Sequence, residues 1–132
     1  MDPEHKTKVM MLDDERFLLE VYKSKFEKEG FEVSTYMRVD DALKALREGV
    51  TPDIILFDIT IPDSGSGYEF IEAVHTEKLA PKALKIALTN EGREGARERM
   101  AEFGTDEHLL KVEYLPAELV TKVSELFKAK QR

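Results

Sequence analysis

Asp53 to Pro62 reads Asp-Ile-Ile-Leu-Phe-Asp-Ile-Thr-Ile-Pro. Its centre, Ile54–Phe57, is apolar without a break, and Pro52-Asp53 punctuates the start. A run without alternation suits a strand covered on both faces, as in parallel sheets flanked by helices. The run ends on an acid, Asp58. Lys8–Leu12 (KVMML) is a second run of this type, and Asp13 and Asp14 follow it.

Working outward, apolar runs alternate with amphipathic stretches. Arg16–Glu29 carries Leu18, Tyr22 and Phe26 at a spacing of four, with Gly30 as a stop. Phe31–Tyr36 alternates Phe31, Val33 and Thr35 against Glu32, Ser34 and Tyr36, the pattern of a strand with one wet face near a sheet edge. Val39–Glu48 (Ala42, Leu43, Leu46) is a short helix ended by Gly49, and Gly67–Thr76 (Phe70, Ile71, Val74) is another. Lys85–Leu88 is a strand candidate. Gly92–Phe103 is a charged helix with Ala96, Met100 and Phe103 inside, closed by Gly104. His108–Leu110 is a short last strand, and Pro116–Lys128 is an amphipathic helix with proline in its first turn.

Five strands alternate strictly with five helices. Strands joined through helices pair in parallel with right-handed crossovers. The expected fold is therefore α/β: a doubly wound, five-stranded parallel sheet in a flavodoxin-like (βα)5 three-layer sandwich. Of the common orders, 2-1-3-4-5 puts the half-wet second strand at an edge. The expected organisation is a polar extension over 1–7, one domain over 8–128 and a tail over 129–132.

The chain has 132 residues, a length that suits one domain. A net charge of −7 argues against general binding to nucleic acid or anionic membranes. There is no cysteine, which excludes disulfides and thiolate metal sites. No apolar run approaches the ~18 residues of a membrane span, and the N-terminus lacks a signal core. A cytoplasmic protein with no membrane contact is expected.

Sites in open α/β sheets form beyond the carboxyl ends of the strands. Asp13 and Asp14 follow the first strand, Asp58 the third, Thr89 the fourth and Lys111 the fifth. Adjacent strands lie ~4.8 Å apart, so three carboxylates would share one cleft if the first and third strands are neighbours. Like charges that close call for a cation, and a hard divalent ion such as magnesium suits oxygen ligands. Acids, a hydroxyl and a lysine around one cleft supply what phosphoryl transfer needs: a nucleophile, positioning and charge neutralisation. Each residue also has a plainer reading. Asp14 could cap the first helix, Asp58 could be a turn residue, Thr89-Asn90 a turn or cap, and Lys111 a solvated edge lysine. The joint pattern at four strand ends favours the site.

With these residues in place the sequence resembles the receiver domains of two-component response regulators, from about Lys8 to Phe127. The matching segments are Val9–Glu15, Asp53–Pro62, Ala87–Asn90 and Gly104–Lys111. The resemblance implies that Asp58 accepts a phosphoryl group from a phosphohistidine on a sensor histidine kinase or phosphotransfer protein. It implies Mg2+ held by Asp13, Asp14, Asp58 and the Thr60 carbonyl, with Thr89 and Lys111 on the phosphoryl group. Phosphotransfer and self-dephosphorylation would be the domain's own chemistry, without turnover of a metabolite. Thr60 and Glu91, each two residues beyond a site residue, are expected to tune dephosphorylation.

Three departures stand out. Val112 follows Lys111 where the family usually has proline, so the bond between them is expected to be trans. His108 stands where the family usually has a Phe or Tyr that changes rotamer with the switch, and a partly exposed strand histidine is its plainer reading. Pro62–Gly67 (PDSGSG) is one residue longer than usual and reads as a mobile turn over the site, with Asp63 a turn residue. No output domain follows, so a stand-alone receiver is expected to act without direct DNA binding. It would dock a downstream protein through the face of the fourth helix, fifth strand and fifth helix. Arg93, Arg97 and Arg99 tint the fourth helix basic, although a solvated helix face is the plainer account. The main alternative is a receiver-like adaptor that works without phosphorylation. A flavodoxin would need a hydroxyl-rich phosphate loop where Asp13–Arg16 stands. A dehalogenase-type phosphatase would need an acid at Thr60, and no GxxxxGK(S/T) loop is present.

Overall fold

The computed structural model describes residues 6–59, 61, 66–90 and 96–131, leaving aside the side chains of 96 and 97. The elements are β1 (Lys8–Leu12), α1 (Arg16–Lys28), β2 (Glu32–Tyr36), α2 (Val39–Arg47), β3 (Ile54–Phe57), α3 (Gly67–Thr76), β4 (Leu84–Thr89), α4 (Ala96–Glu102), β5 (Glu107–Leu110) and α5 (Pro116–Lys130). A single 3-10 turn, Lys111–Glu113, joins β5 to α5 and has no counterpart in the sequence reading. The strands pair in parallel in the order β2-β1-β3-β4-β5.

The unbroken apolar runs have the explanation expected of them. Successive residues of a strand face opposite sides, so each run feeds two cores. Met10, Leu12, Ile55, Phe57 and Ala87 join the layer under α2 and α3. Val9, Met11, Ile54, Leu56, Ile86 and Leu88 join the layer under α1 and α5. Phe57 is fully buried, its ring 5.5 Å from that of Phe70 on α3. The stops after α1 and α2 are Gly30 and Gly49, at φ of 92° and 107°, where a side chain would be strained.

Some details differ from expectation. In β2, Thr35 is exposed, whereas Tyr36 is half-buried. Tyr36 packs on the α2 side of the sheet and Val33 on the α1 side, so this edge strand is partly covered on both faces and has no single wet one. In α1 the buried stripe is Leu19, Tyr22 and Phe26, with Leu18 at its border. β4 runs one residue further each way than Lys85–Leu88, which makes Thr89 its last residue. Of the α4 stripe, Met100 is fully buried, and Phe103 lies beyond the helix with its ring 6.0 Å from His75. No helix among the described residues is long and apolar enough to cross a membrane.

Phe57→Ala removes a fully buried ring beside the proposed site. It should cost about 3–5 kcal/mol of unfolding free energy, read as a lowered urea midpoint with a similar m-value.

Candidate functional site

Strand register brings the acids together. Leu12 of β1 pairs with Phe57 of β3, so the next residues, Asp13 and Asp58, leave the sheet side by side. Their backbones are held by the neighbouring strands: Asp58 N donates to Leu12 O at 2.9 Å, and Asp13 N donates to Tyr36 O at 3.0 Å. On the other side Thr89 pairs with Leu110, so Lys111 comes off the last strand level with the end of β4. The turn starting at Lys111 sends its side chain across the sheet end.

That side chain ties the cleft. Lys111 Nζ lies 2.6 Å from Asp13 Oδ2 and 2.7 Å from Asp58 Oδ2. Asp13 Oδ1 accepts from the Glu15 N–H at 3.0 Å, which fixes its rotamer at the start of α1. Asp14 is exposed, and the N-cap of α1 is Glu15 without a side-chain cap, so Asp14 is not the cap of that helix. One carboxylate oxygen from each of Asp13, Asp14 and Asp58 falls within a cluster 4.8 Å across. Oxygens around a magnesium ion at ~2.1 Å stand ~3 to ~4 Å apart, so small rotations of these side chains would bring the set to that geometry. The donors are all hard oxygens, one of them open to solvent, and they fit such an ion.

Burial sets the electrostatics. Removal from water pushes the Asp13 carboxyl up to about 6, against the opposing pull of Lys111 and the Glu15 N–H. Burial also acts against the Lys111 charge, but the two acids overcome it and hold the ammonium above the ordinary lysine value. Lys111 therefore stays charged and is no solvated edge residue. Thr89, 1% exposed, ends β4 beside this group. His108 is buried in β5 opposite Ala87, which corrects the partly exposed reading. No peptide bond among the described residues is cis, so Lys111-Val112 is trans. Thr60, Asp63 and Glu91 lie outside the described residues, as does most of the loop that holds Asp63.

Gly67 ends the turn Pro62–Gly67 and opens the helix expected over Gly67–Thr76, and the structure gives it a fixed place. It is the first residue of α3, and its N–H donates to Ile59 O at 2.6 Å. A Cβ there would stand 2.2 Å from Asp58 O and 2.6 Å from Ile59 Cα. Only glycine lets the helix start this close to the Asp58 backbone. The signal in the sequence was a serine cap followed by glycine, and Ser66 does cap α3 by accepting from Glu69 N at 3.3 Å.

The chain belongs to the response regulator receiver domain family, whose profile matches residues 9–124. The transcriptional regulatory protein ResD of Bacillus subtilis (strain 168) is 30% identical over 129 residues, which cover 97% of this chain and 51% of ResD. The phosphate regulon transcriptional regulatory protein PhoB of Rhizobium meliloti (strain 1021) is 31% identical over 121 residues, 92% of this chain and 52% of PhoB. This chain thus spans about half the length of the curated relatives it matches. Among solved structures, a CheY-like response regulator receiver domain protein from Methanospirillum hungatei JF-1 superposes with a TM-score of 0.85 at 25% identity, covering 96% of this chain and 98% of that one. The chemotaxis response regulator CheY4 of Vibrio cholerae shares the fold at a TM-score of 0.81 and 22% identity, over 92% of this chain and 99% of its own.

Two outcomes are expected. Gly67→Ala should destabilise by about 3 kcal/mol or more, because backbone rather than a flexible side chain blocks the new methyl; urea unfolding measures it. In chelator, Asp13 holds its proton to higher pH in the folded state than the ordinary 3.8. Its contribution to stability is therefore full below 3.8 and lost as pH rises through about 6. The metal-free parent should be less stable than Asp13→Asn at pH ~7.5, and the gap in urea midpoints should narrow as pH falls through about 6 and close only below 3.8.

Proposed function

We propose that this receiver takes a phosphoryl group onto Asp58 from a phosphohistidine of a sensor histidine kinase or phosphotransfer protein, in a reaction that requires Mg2+. The observation that carries the reading is the convergence of Asp13, Asp14, Asp58 and Lys111 in one cleft. An Asp58 oxygen attacks phosphorus while the phosphorus–nitrogen bond breaks and its electron pair returns to the imidazole. Lys111, which bonds Asp58 Oδ2, would follow the new charge onto a phosphoryl oxygen, and the Thr89 hydroxyl would donate to another. A magnesium ion held by Asp13, Asp14, Asp58 and the Thr60 carbonyl would draw off negative charge there. Attack by water on the aspartyl phosphate then returns Asp58 and releases inorganic phosphate. Thr60 and Glu91 are proposed to govern access of that water.

In this reading the phosphoryl group draws Thr89 and Lys111 inward and shifts the α4–β5–α5 face toward a form that binds a downstream protein. His108, buried in β5, takes the place of the aromatic that reports the switch. Residues 8–128 are proposed as the working unit, in the cytoplasm, with no direct contact to DNA or membrane. The second reading, an adaptor independent of phosphorylation, draws on Val112 and His108.

Incubation with acetyl phosphate and magnesium should add the mass of one phosphoryl group to the parent. Neither Asp58→Asn nor the parent in chelator should gain it. A folded, magnesium-binding parent that never gains the group would favour the adaptor.

A further inference from the structure

A second group of charges meets at the end of the sheet away from the acids. Lys85 is the second residue of β4, and Thr89, at the site end of that strand, is four residues or about 13 Å further on. Lys85 is 8% exposed, and a lysine is rarely so buried without an opposite charge bonded to it. Its Nζ donates to Ala80 O and Ala83 O, both at 3.1 Å, and it forms no ion pair among the described residues. Lys130, in the last turn of α5, donates to the same Ala83 O at 3.4 Å, so two ammonium groups share one carbonyl. One acid serves both lysines: Asp106 Oδ2 accepts from Lys85 N at 2.9 Å and from Lys130 Nζ at 3.3 Å. Burial and the Lys130 charge pull the Lys85 ammonium below the ordinary lysine value, against the opposing effect of Asp106. The cluster holds two cations against one anion.

A pocket of about 510 Å3 opens on this cluster, a volume within the range of small-molecule sites. Lys78, Lys85, Lys130 and Asp106 line it, three lysines against one acid in a chain of net charge −7. Leu79, Pro81 and Phe103 give it an apolar wall, and Leu79 and Phe103 are only half-buried. The loop from α3 to β4 forms part of that wall. Lys78 and Ala80 in this loop have φ of 55° and 40°, in the left-handed region that residues other than glycine seldom adopt. Ala80 O is one of the two acceptors of Lys85, so the buried ammonium holds the strained loop in shape and the wall is formed in advance of any ligand.

We propose that this pocket binds a small organic carboxylate on an apolar body, the carboxylate beside Lys85 and Lys130 and the body against Leu79 and Phe103. The surplus of buried positive charge calls for an anion. The apolar wall favours an anion with a hydrophobic part over a bare inorganic one. The pocket lies at the opposite end of β4 from the Asp58 cleft, so the inference stands apart from the phosphoryl chemistry.

The probe is benzoate, followed by the amide resonances of the intact chain at constant ionic strength. Saturable shifts are expected at Leu79, Lys85 and Gly104, with Asp13 and Asp58 unmoved. Benzamide has the same shape without the charge, and inorganic phosphate has charge without the body; each should bind about tenfold more weakly or worse, the scale of one charge-assisted bond. Lys130→Gln, a change at a partly exposed residue, should keep the parent's urea midpoint and weaken benzoate binding by about tenfold. Lys44→Gln makes the same charge change on the exposed face of α2 and should leave the affinity as it was. No saturable shift at the pocket, equal binding of benzamide or phosphate, or an unchanged affinity in Lys130→Gln would overturn the inference and leave Lys85 as a staple for the loop.

Discussion

One buried ammonium organises the functional end of this molecule. Lys111 reaches from the turn after the edge strand β5 across β4 to the ends of β3 and β1, and it bonds Asp58 and Asp13 there. Taking three charges out of water is costly, and well-packed apolar side chains of similar size often serve stability as well or better. The triad is therefore poor evidence for stability and good evidence for chemistry. It keeps two carboxylates and an ammonium in a partly dry pocket, where each acts more strongly on a neighbouring charge than it would in water.

The rest of the fold serves to hold that arrangement. The register Leu12 to Phe57 sets Asp13 beside Asp58, and the register Thr89 to Leu110 sets the hydroxyl and the lysine on the opposite side. Two cores, one on each face of the sheet, keep the strands from sliding, since a slip of one residue would exchange the faces of every side chain. Gly67 lets α3 begin against the Asp58 carbonyl.

Much of this could be read from the chain alone. Ile54–Phe57 and Lys8–Leu12 declare themselves as central strands because parallel strands under two helix layers cannot alternate, and the acids after them follow from the rule for open sheets. Other features depend on tertiary distance, which periodicity does not carry. The partly covered faces of β2 arise because helices flank both sides of the sheet, so Tyr36 turns inward against its pattern. The close approach of Gly67 arises from where α3 lands relative to β3, and glycine in a serine-rich turn reads equally as flexibility. The direction of Lys111 is set by a 3-10 turn, whose three residues are too few to leave a pattern.

The most direct measurement of the central claim is to locate the phosphoryl group chemically. Borohydride reduces an acyl phosphate to an alcohol, so a phosphorylated aspartate becomes homoserine, which peptide mass spectrometry can place in the chain. After treatment with acetyl phosphate and magnesium, the account predicts homoserine at position 58 and nowhere else. Homoserine at Asp13 or Asp14 with Asp58 unmodified, or none from a chain that had gained a phosphoryl group, would contradict it.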